Sequence, residues 1–180
     1  MFTIELHPKF RHEVLNAFVV QVHEVTKNAG FACFGSASEI LSDLKHHTEE
    51  QVVQLVQKRW DGIQLLRQLL GDKAIGFELH GSHELFPMEK TELYENCMAS
   101  IPYLNNLMEP VFGKKPFVPS GNSFGFANIQ EKYISHLVEG QLDTGKMMNS
   151  LIQKCQFLGI PIINGILVNN IMELNNGATI

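Results

Sequence analysis

Thr48-Glu49-Glu50-Gln51-Val52-Val53-Gln54-Leu55-Val56-Gln57-Lys58-Arg59-Trp60-Asp61-Gly62-Ile63-Gln64-Leu65-Leu66-Arg67-Gln68-Leu69-Leu70-Gly71 holds one periodicity for longer than any other stretch of the chain. Thr48 followed three residues later by Gln51 fits a capping box, and Glu49 and Glu50 suit the positive end of a helix. Val52, Val56, Trp60, Ile63, Leu66 and Leu70 then recur at helical spacing until Gly71 stops the run. The tryptophan and leucine stripe reads as a core face rather than a cofactor box.

Working outward from this helix, residues 75–79 and 83–86 read as short strands, with Gly81-Ser82 as the turn between them. Pro87 precedes a second helical stretch, about 89–111, which the pattern breaks near Pro102. Residues 113–128 read as strands joined by tight turns, and 133–139 as a strand ended by Gly140. Asp143 or Thr144 caps a third helix, in which Met147, Met148, Leu151, Ile152 and Cys155 repeat at three- and four-residue spacing until Gly159. Residues 160–163 and 167–174 read as strands, and Asn175-Asn176-Gly177 as a hairpin turn. Only Ala178, Thr179 and Ile180 follow that turn, so the pattern is that of a truncated chain. Upstream of the opening helix, residues 12–25 are rich in β-branched residues and read as a strand. Gly30 and Gly35 then open a small-residue loop, 32–38, where backbone can approach a ligand closely. The order predicts an α/β to α+β fold: a mixed sheet with helices around 49–70, 88–111 and 144–158.

Composition narrows the function classes. Of 180 residues, 44% are hydrophobic and 18% charged, enough for a packed core and against wholesale disorder. The formal charge of −5 argues against a nucleic-acid-wrapping surface. No apolar run approaches the roughly 20 residues of a membrane span, and the first residues lack a secretory pattern. Cys33, Cys97 and Cys155 are odd in number and widely spaced, which suits reduced thiols and a cytoplasmic location.

Three segments carry a family resemblance. Thr26-Lys27-Asn28-Ala29-Gly30-Phe31 resembles the small-residue turn that lies against the flavin in the D-amino-acid oxidase and glycine oxidase superfamily of FAD-dependent oxidoreductases. Gln141-Leu142-Asp143-Thr144-Gly145-Lys146-Met147-Met148 is similar to the family's Leu-Asp-Pro-Gly-Arg segment, where the chain leaves the substrate-domain sheet and enters a helix of the FAD domain. Thr144 stands where proline is common, and Lys146 where arginine is common. Residues 159–171 resemble the strand pair after that helix, in which a valine matching Val168 bonds the adenine through its backbone. The resemblance implies FAD as cofactor, held by Thr26, Lys27, Asn28, Ala29, Gly30, Phe31 and Val168. It implies hydride transfer from a C–N bond of a small amine or amino acid to the flavin. It further implies an N-terminal flavin-contacting segment and helix (1–70), part of a substrate-binding sheet domain (71–140) and a return to the FAD domain (141–180).

Two departures qualify it. The first 29 residues contain no glycine, and no Gly-x-Gly-x-x-Gly spacing occurs among the 14 glycines, although that motif seats a pyrophosphate on a helix N-terminus. The family's substrate-clamping arginine and active-site tyrosine lie beyond the matched region, so no catalytic residue is nominated. The competing expectation is a non-catalytic truncated or rearranged remnant, with open sheet edges that invite self-association.

Other candidates have weaker patterns. His46-His47 and His80-Gly81-Ser82-His83 lack a third ligand at defined spacing and read as loop residues rather than a zinc site. Cys33 beside Gly35 is either a reactive thiol or a small buried hydrophobe, with the latter favoured. His136 is either a core or surface histidine or, if the family sheet forms, one that faces the flavin. Gly121-Asn122-Ser123-Phe124-Gly125 matches Gly-x-Ser-x-Gly by letter, but 126–129 reads extended where a nucleophile elbow needs a helix.

Overall fold

A computed structural model of the chain describes residues 29–163 and the strands Val14–Leu15, Met172–Leu174 and Gly177–Thr179. The described elements, in chain order, begin with β1 (Val14–Leu15), β2 (Phe31–Ala32), α1 (Ala37–Asp43), α2 (Glu49–Leu70) and α3 (Asp72–Ile75). They continue with β3 (Ser82–Glu84), α4 (Thr91–Phe112), β4 (Phe117–Gly121), β5 (Lys132–His136) and β6 (Gly140–Gln141). Last come α5 (Thr144–Phe157), β7 (Ile162–Ile163), β8 (Met172–Leu174) and β9 (Gly177–Thr179). Helices with small, mainly antiparallel sheets agree with the α+β end of the expected range. Among the described residues no helix is long and apolar enough to cross a membrane. Two compact units divide the chain: Gly30–Leu142, and Met1–Ala29 together with Asp143–Ile180.

Within Gly30–Leu142, α2 starts as its sequence dictates. Thr48 Oγ1 accepts from the Gln51 N–H at 3.3 Å, and Gln51 Oε1 accepts from the Thr48 N–H at 3.1 Å. The Gly71 N–H closes the last turn on the Arg67 carbonyl. Val52 and Val56 are buried, and Trp60 and Ile63 pack against the same core. That core takes Ile101, Leu104, Met108 and Val111 from α4, and Phe117 and Ile134 from the sheet.

Three expectations need correction here. The loop expected over 32–38 ends in α1, because Ser36 and Glu39 form a second reciprocal capping box. The strand expected over 75–79 does not form: Ile75, completely buried, ends the single turn α3, and Gly76 follows in the left-handed region (φ 59°). Of that strand only a bridge between Glu78 and Gln141 remains. Nor does the second helix break near Pro102: α4 runs unbroken through Pro102 and Pro110. A proline inside a helix costs about 3 kcal/mol, whereas each fully buried large apolar side chain contributes about 1.5–3 kcal/mol. The buried row Ile101, Leu104, Met108 and Val111 outweighs both prolines, which lie on the exposed side where water can serve the freed carbonyls.

The sheet order is β3-β5-β4, all antiparallel. Ser135 of β5 stands opposite His83 and Val118, and Tyr133 opposite Ser120. Ile134 joins the helical core, so alternation puts Tyr133 and Ser135 on the other face. The expected strand 133–139 ends earlier, at His136, and turns through 137–139 into β6.

In the other unit, β1 and β7 pair in parallel, Val14 with Ile162 and Leu15 with Ile163. Helix α5 is capped by Asp143, whose Oδ1 accepts from the Lys146 N–H at 2.9 Å. Strands β8 and β9 form an antiparallel pair in which Leu174 meets Gly177; the expected turn residues Asn175 and Asn176 lie outside the described residues. The remainder of the expected strand 12–25, and residues 167–171, lie outside the described residues.

Candidate functional site

The six-residue turn singled out in the sequence is described at its second half. Thr26, Lys27, Asn28 and Val168 lie outside the described residues, and Ala29 is exposed. Gly30 is buried at φ 79°, a conformation glycine adopts without strain. Its carbonyl accepts from the Leu142 N–H at 2.8 Å. Phe31 then pairs with Gln141 and Ala32 with Gly140, as β2 meets β6 antiparallel. Phe31 remains 67% exposed. The segment after residue 30 and the segment before residue 143 are therefore hydrogen-bonded neighbours.

Phe34 and Gly35 are held by a group that the sequence pattern does not single out. Glu139, 3% exposed, follows the turn out of β5. Its Oε1 accepts from the Phe34 N–H at 2.7 Å and the Gly35 N–H at 3.3 Å, and its Oε2 accepts from the Ser82 hydroxyl. All three contacts are donations to the carboxylate, which suits an acceptor-only anion. On the opposite side of the same peptide chain, Arg59 Nη1 donates to the Phe34 carbonyl at 3.0 Å. The Phe34 ring meets Trp60 edge-on at 5.1 Å and Phe112 at 5.6 Å. Hydrogen bonds to a charged group contribute about 1.5–3 kcal/mol each, and fixing one residue's backbone costs about 1–2 kcal/mol. Two amide bonds to one carboxylate therefore suffice to hold Phe34 and Gly35 in place.

Cys33 lies at this loop as an exposed residue rather than the small buried hydrophobe favoured from the sequence, with its thiol partly shielded from water. Burial of its thiol, followed by the charges of Glu139 and Glu39, pushes it up to about 11. The thiol is protonated at neutral pH, the opposite of an activated nucleophile.

His136 is a core histidine, 3% exposed, with its ring edge-on to Phe117 at 4.8 Å and to Phe112 at 5.6 Å. Neither ring nitrogen has a hydrogen-bond partner among the described residues. Burial holds it below the ordinary 6.5, the Glu139 charge opposes that shift, and Lys114 adds to it.

The opposite sheet face carries a hydroxyl row. His83 Nδ1 lies 3.0 Å from Ser135 Oγ, which is 2.7 Å from Ser120 Oγ, and Ser123 Oγ is 3.0 Å from the Tyr133 hydroxyl. Phe124 packs 5.2 Å from the His83 ring and stacks on Tyr133 at 6.0 Å. These residues line an open groove of about 700 Å³. Ser123 sits in the turn after β4 with no helix behind it, and its hydroxyl meets Tyr133 rather than a histidine, so the letter match to a nucleophile elbow has no counterpart in geometry. His80 pairs with Glu78, and among the described residues no three His, Cys, Asp or Glu side chains gather as metal ligands.

The chain matches no protein-family model, no curated protein and no solved structure.

Proposed function

We propose that this chain is part of an FAD-dependent oxidoreductase that oxidises a C–N bond of a small amine or amino acid. The observation that carries the reading is the pairing of β2 with β6, extended by the bond from Leu142 N–H to Gly30 carbonyl. It pairs Gly30 and Phe31, the end of one segment that resembles a flavin-domain landmark, with Gln141 and Leu142, the start of another far away in the chain. The capped start of α5 at Asp143 and the parallel pair β1 and β7 are also in keeping with a nucleotide-binding layer interrupted by a second unit.

Thr26, Lys27, Asn28, Ala29, Gly30, Phe31 and Val168 are the residues that would hold the cofactor. Gly30 suits such a contact, since a buried residue with positive φ and no Cβ allows the main chain to lie close to a planar group. Bound flavin supplies a two-electron acceptor for hydride; the protein supplies orientation and exclusion of water. The chain contains no Gly-x-Gly-x-x-Gly, so pyrophosphate binding of that kind does not come from these residues.

The test is the visible absorption spectrum of the purified chain before and after excess FAD and desalting. Retained flavin bands are expected, and turnover assays with amines and amino acids would follow. A colourless protein overturns the reading in favour of a non-catalytic chain that folds or associates without flavin.

A further inference from the structure

We infer that the outer face of the β3-β5-β4 sheet is a binding site for a neutral sugar of two rings. The inference stands on residues of the Gly30–Leu142 unit alone and is independent of the flavin reading. Two depressions meet on this face. The open groove beside Phe124 and Tyr133 measures about 700 Å³, and a second, lined by His80, Gly81 and Leu137 among others, about 230 Å³. His83, Ser120 and Ser135 line both, so the hydroxyl row is the wall the two share. Strand register explains this placement. His83 and Val118 stand opposite Ser135, and Ser120 opposite Tyr133, which puts all five on one face. A ligand that fills both depressions must be long enough to cross that wall, and it meets hydroxyls at its middle.

Charge and proton count select the ligand. Neither depression is lined by an aspartate, glutamate, lysine or arginine, the side chains that fix phosphates, carboxylates and ammonium groups. With His83 neutral, Ser120, Ser135 and His83 carry three protons between them, and their two mutual contacts use two. If Ser135 donates to Nδ1, the remaining proton sits on His83 Nε2, to which no bond is made among the described residues. If Nδ1 donates instead, the remaining proton is the one on Ser120. An anion, which only accepts, finds a single donor here. A sugar hydroxyl both gives and takes, and so matches a row that can run in either direction. Phe124 supplies the apolar half of the site. It is 58% exposed, and the negative face of its ring attracts the C–H face of a sugar. Asn122 closes the turn that carries it: Nδ2 donates to the Phe126 carbonyl at 2.7 Å, and Oδ1 accepts from the Phe126 N–H at 3.0 Å. The ring is thus set in place before a ligand arrives, and less freedom is lost on binding. Across the wall, the exposed Leu79 and Leu137 offer the second ring its apolar contact.

The experiment titrates the full chain with cellobiose, maltose and lactose and follows backbone amide shifts, with glucose and glucose 6-phosphate as comparisons. At least one disaccharide is expected to give saturable shifts at Ser120, Ser123 and Ser135 and none at Val52 in α2. Glucose, which fills one depression, should bind about tenfold more weakly, and its phosphate no better. Phe124→Ala and Ser120→Ala alter side chains at the surface of the sheet, and thermal melts check that each keeps the fold. Each should weaken disaccharide binding about three- to tenfold. Absence of saturable shifts with all three disaccharides overturns the inference, as do shifts confined to other parts of the chain or affinities that both variants leave unchanged. Glucose binding as tightly as the best disaccharide overturns the two-ring assignment. Tighter binding of glucose 6-phosphate than of glucose overturns the preference for a neutral ligand.

Discussion

Asn105 of α4 holds Phe117 of β4 by both ends of its side-chain amide. Nδ2 donates to the Phe117 carbonyl at 2.8 Å, and Oδ1 accepts from the Phe117 N–H at 2.9 Å. The side chain is nearly buried and acts as a one-residue strand partner on the outer side of β4, an edge of its sheet. It joins the helical layer to the sheet at the point where Phe117 enters the core.

Removing that amide leaves a buried N–H and a buried carbonyl without partners, each costing about 1–3 kcal/mol. Asn105→Ala and the volume-preserving Asn105→Leu should therefore each lose roughly 2–4 kcal/mol. Urea denaturation measures this, and an unchanged midpoint in both variants would show that the contact contributes nothing.

Two glycines should respond to alanine with opposite signs. A Cβ on Gly140 would lie 2.4 Å from the Glu78 carbonyl oxygen, a backbone atom already paired with Gln141. Gly140→Ala must shift that bridge and should cost about 1–3 kcal/mol. Gly62, inside α2, has nothing within 4 Å of the added carbon. Gly62→Ala should raise stability by roughly 0.5–1 kcal/mol. Thermal melts of the two variants side by side test both, and a shift of the same sign would contradict the geometry.

His136 should make the chain acid-sensitive. Its folded-state value lies below the ordinary 6.5, chiefly through burial, so the unfolded chain binds a proton that the folded one refuses. The neutral ring's contribution is fully present above 6.5 and is lost as pH falls from there through the depressed folded value. In His136→Phe the slope of stability against pH below 6.5 should flatten by up to about 1.4 kcal/mol per pH unit. Urea unfolding at several pH values gives that slope whatever the variant's absolute stability. Parallel slopes for the two proteins would mean that another group governs the acid limb.

Elements with complete local instructions were legible in the sequence. Helix α2 carries its cap, its apolar spacing and its stop in one contiguous stretch, and α5 likewise announces itself at Asp143. Helix α1 has the same Ser36 and Glu39 signal, but the small residues before it suggested a loop. Where tertiary packing overrides local chemistry, reading failed: Pro102 inside α4 is outweighed by the buried row beside it, and Ile75 is drawn into a helical turn by its burial. For the site, Gly30 stood out because glycine has a conformational meaning by itself. Glu139 did not, since its partners Ser82, Gly35 and Phe34 lie 57, 104 and 105 residues away in the chain. A carboxylate at the end of an apolar strand, just before a glycine, is the one local trace it leaves.

The bond between Gly30 and Leu142 has an evolutionary consequence. A unit of chain whose first and last residues are hydrogen-bonded neighbours presents its surroundings with two adjacent attachment points, as an insertion does. Such a cassette can lengthen, shrink or be exchanged for another without altering the spacing between the segments that flank it.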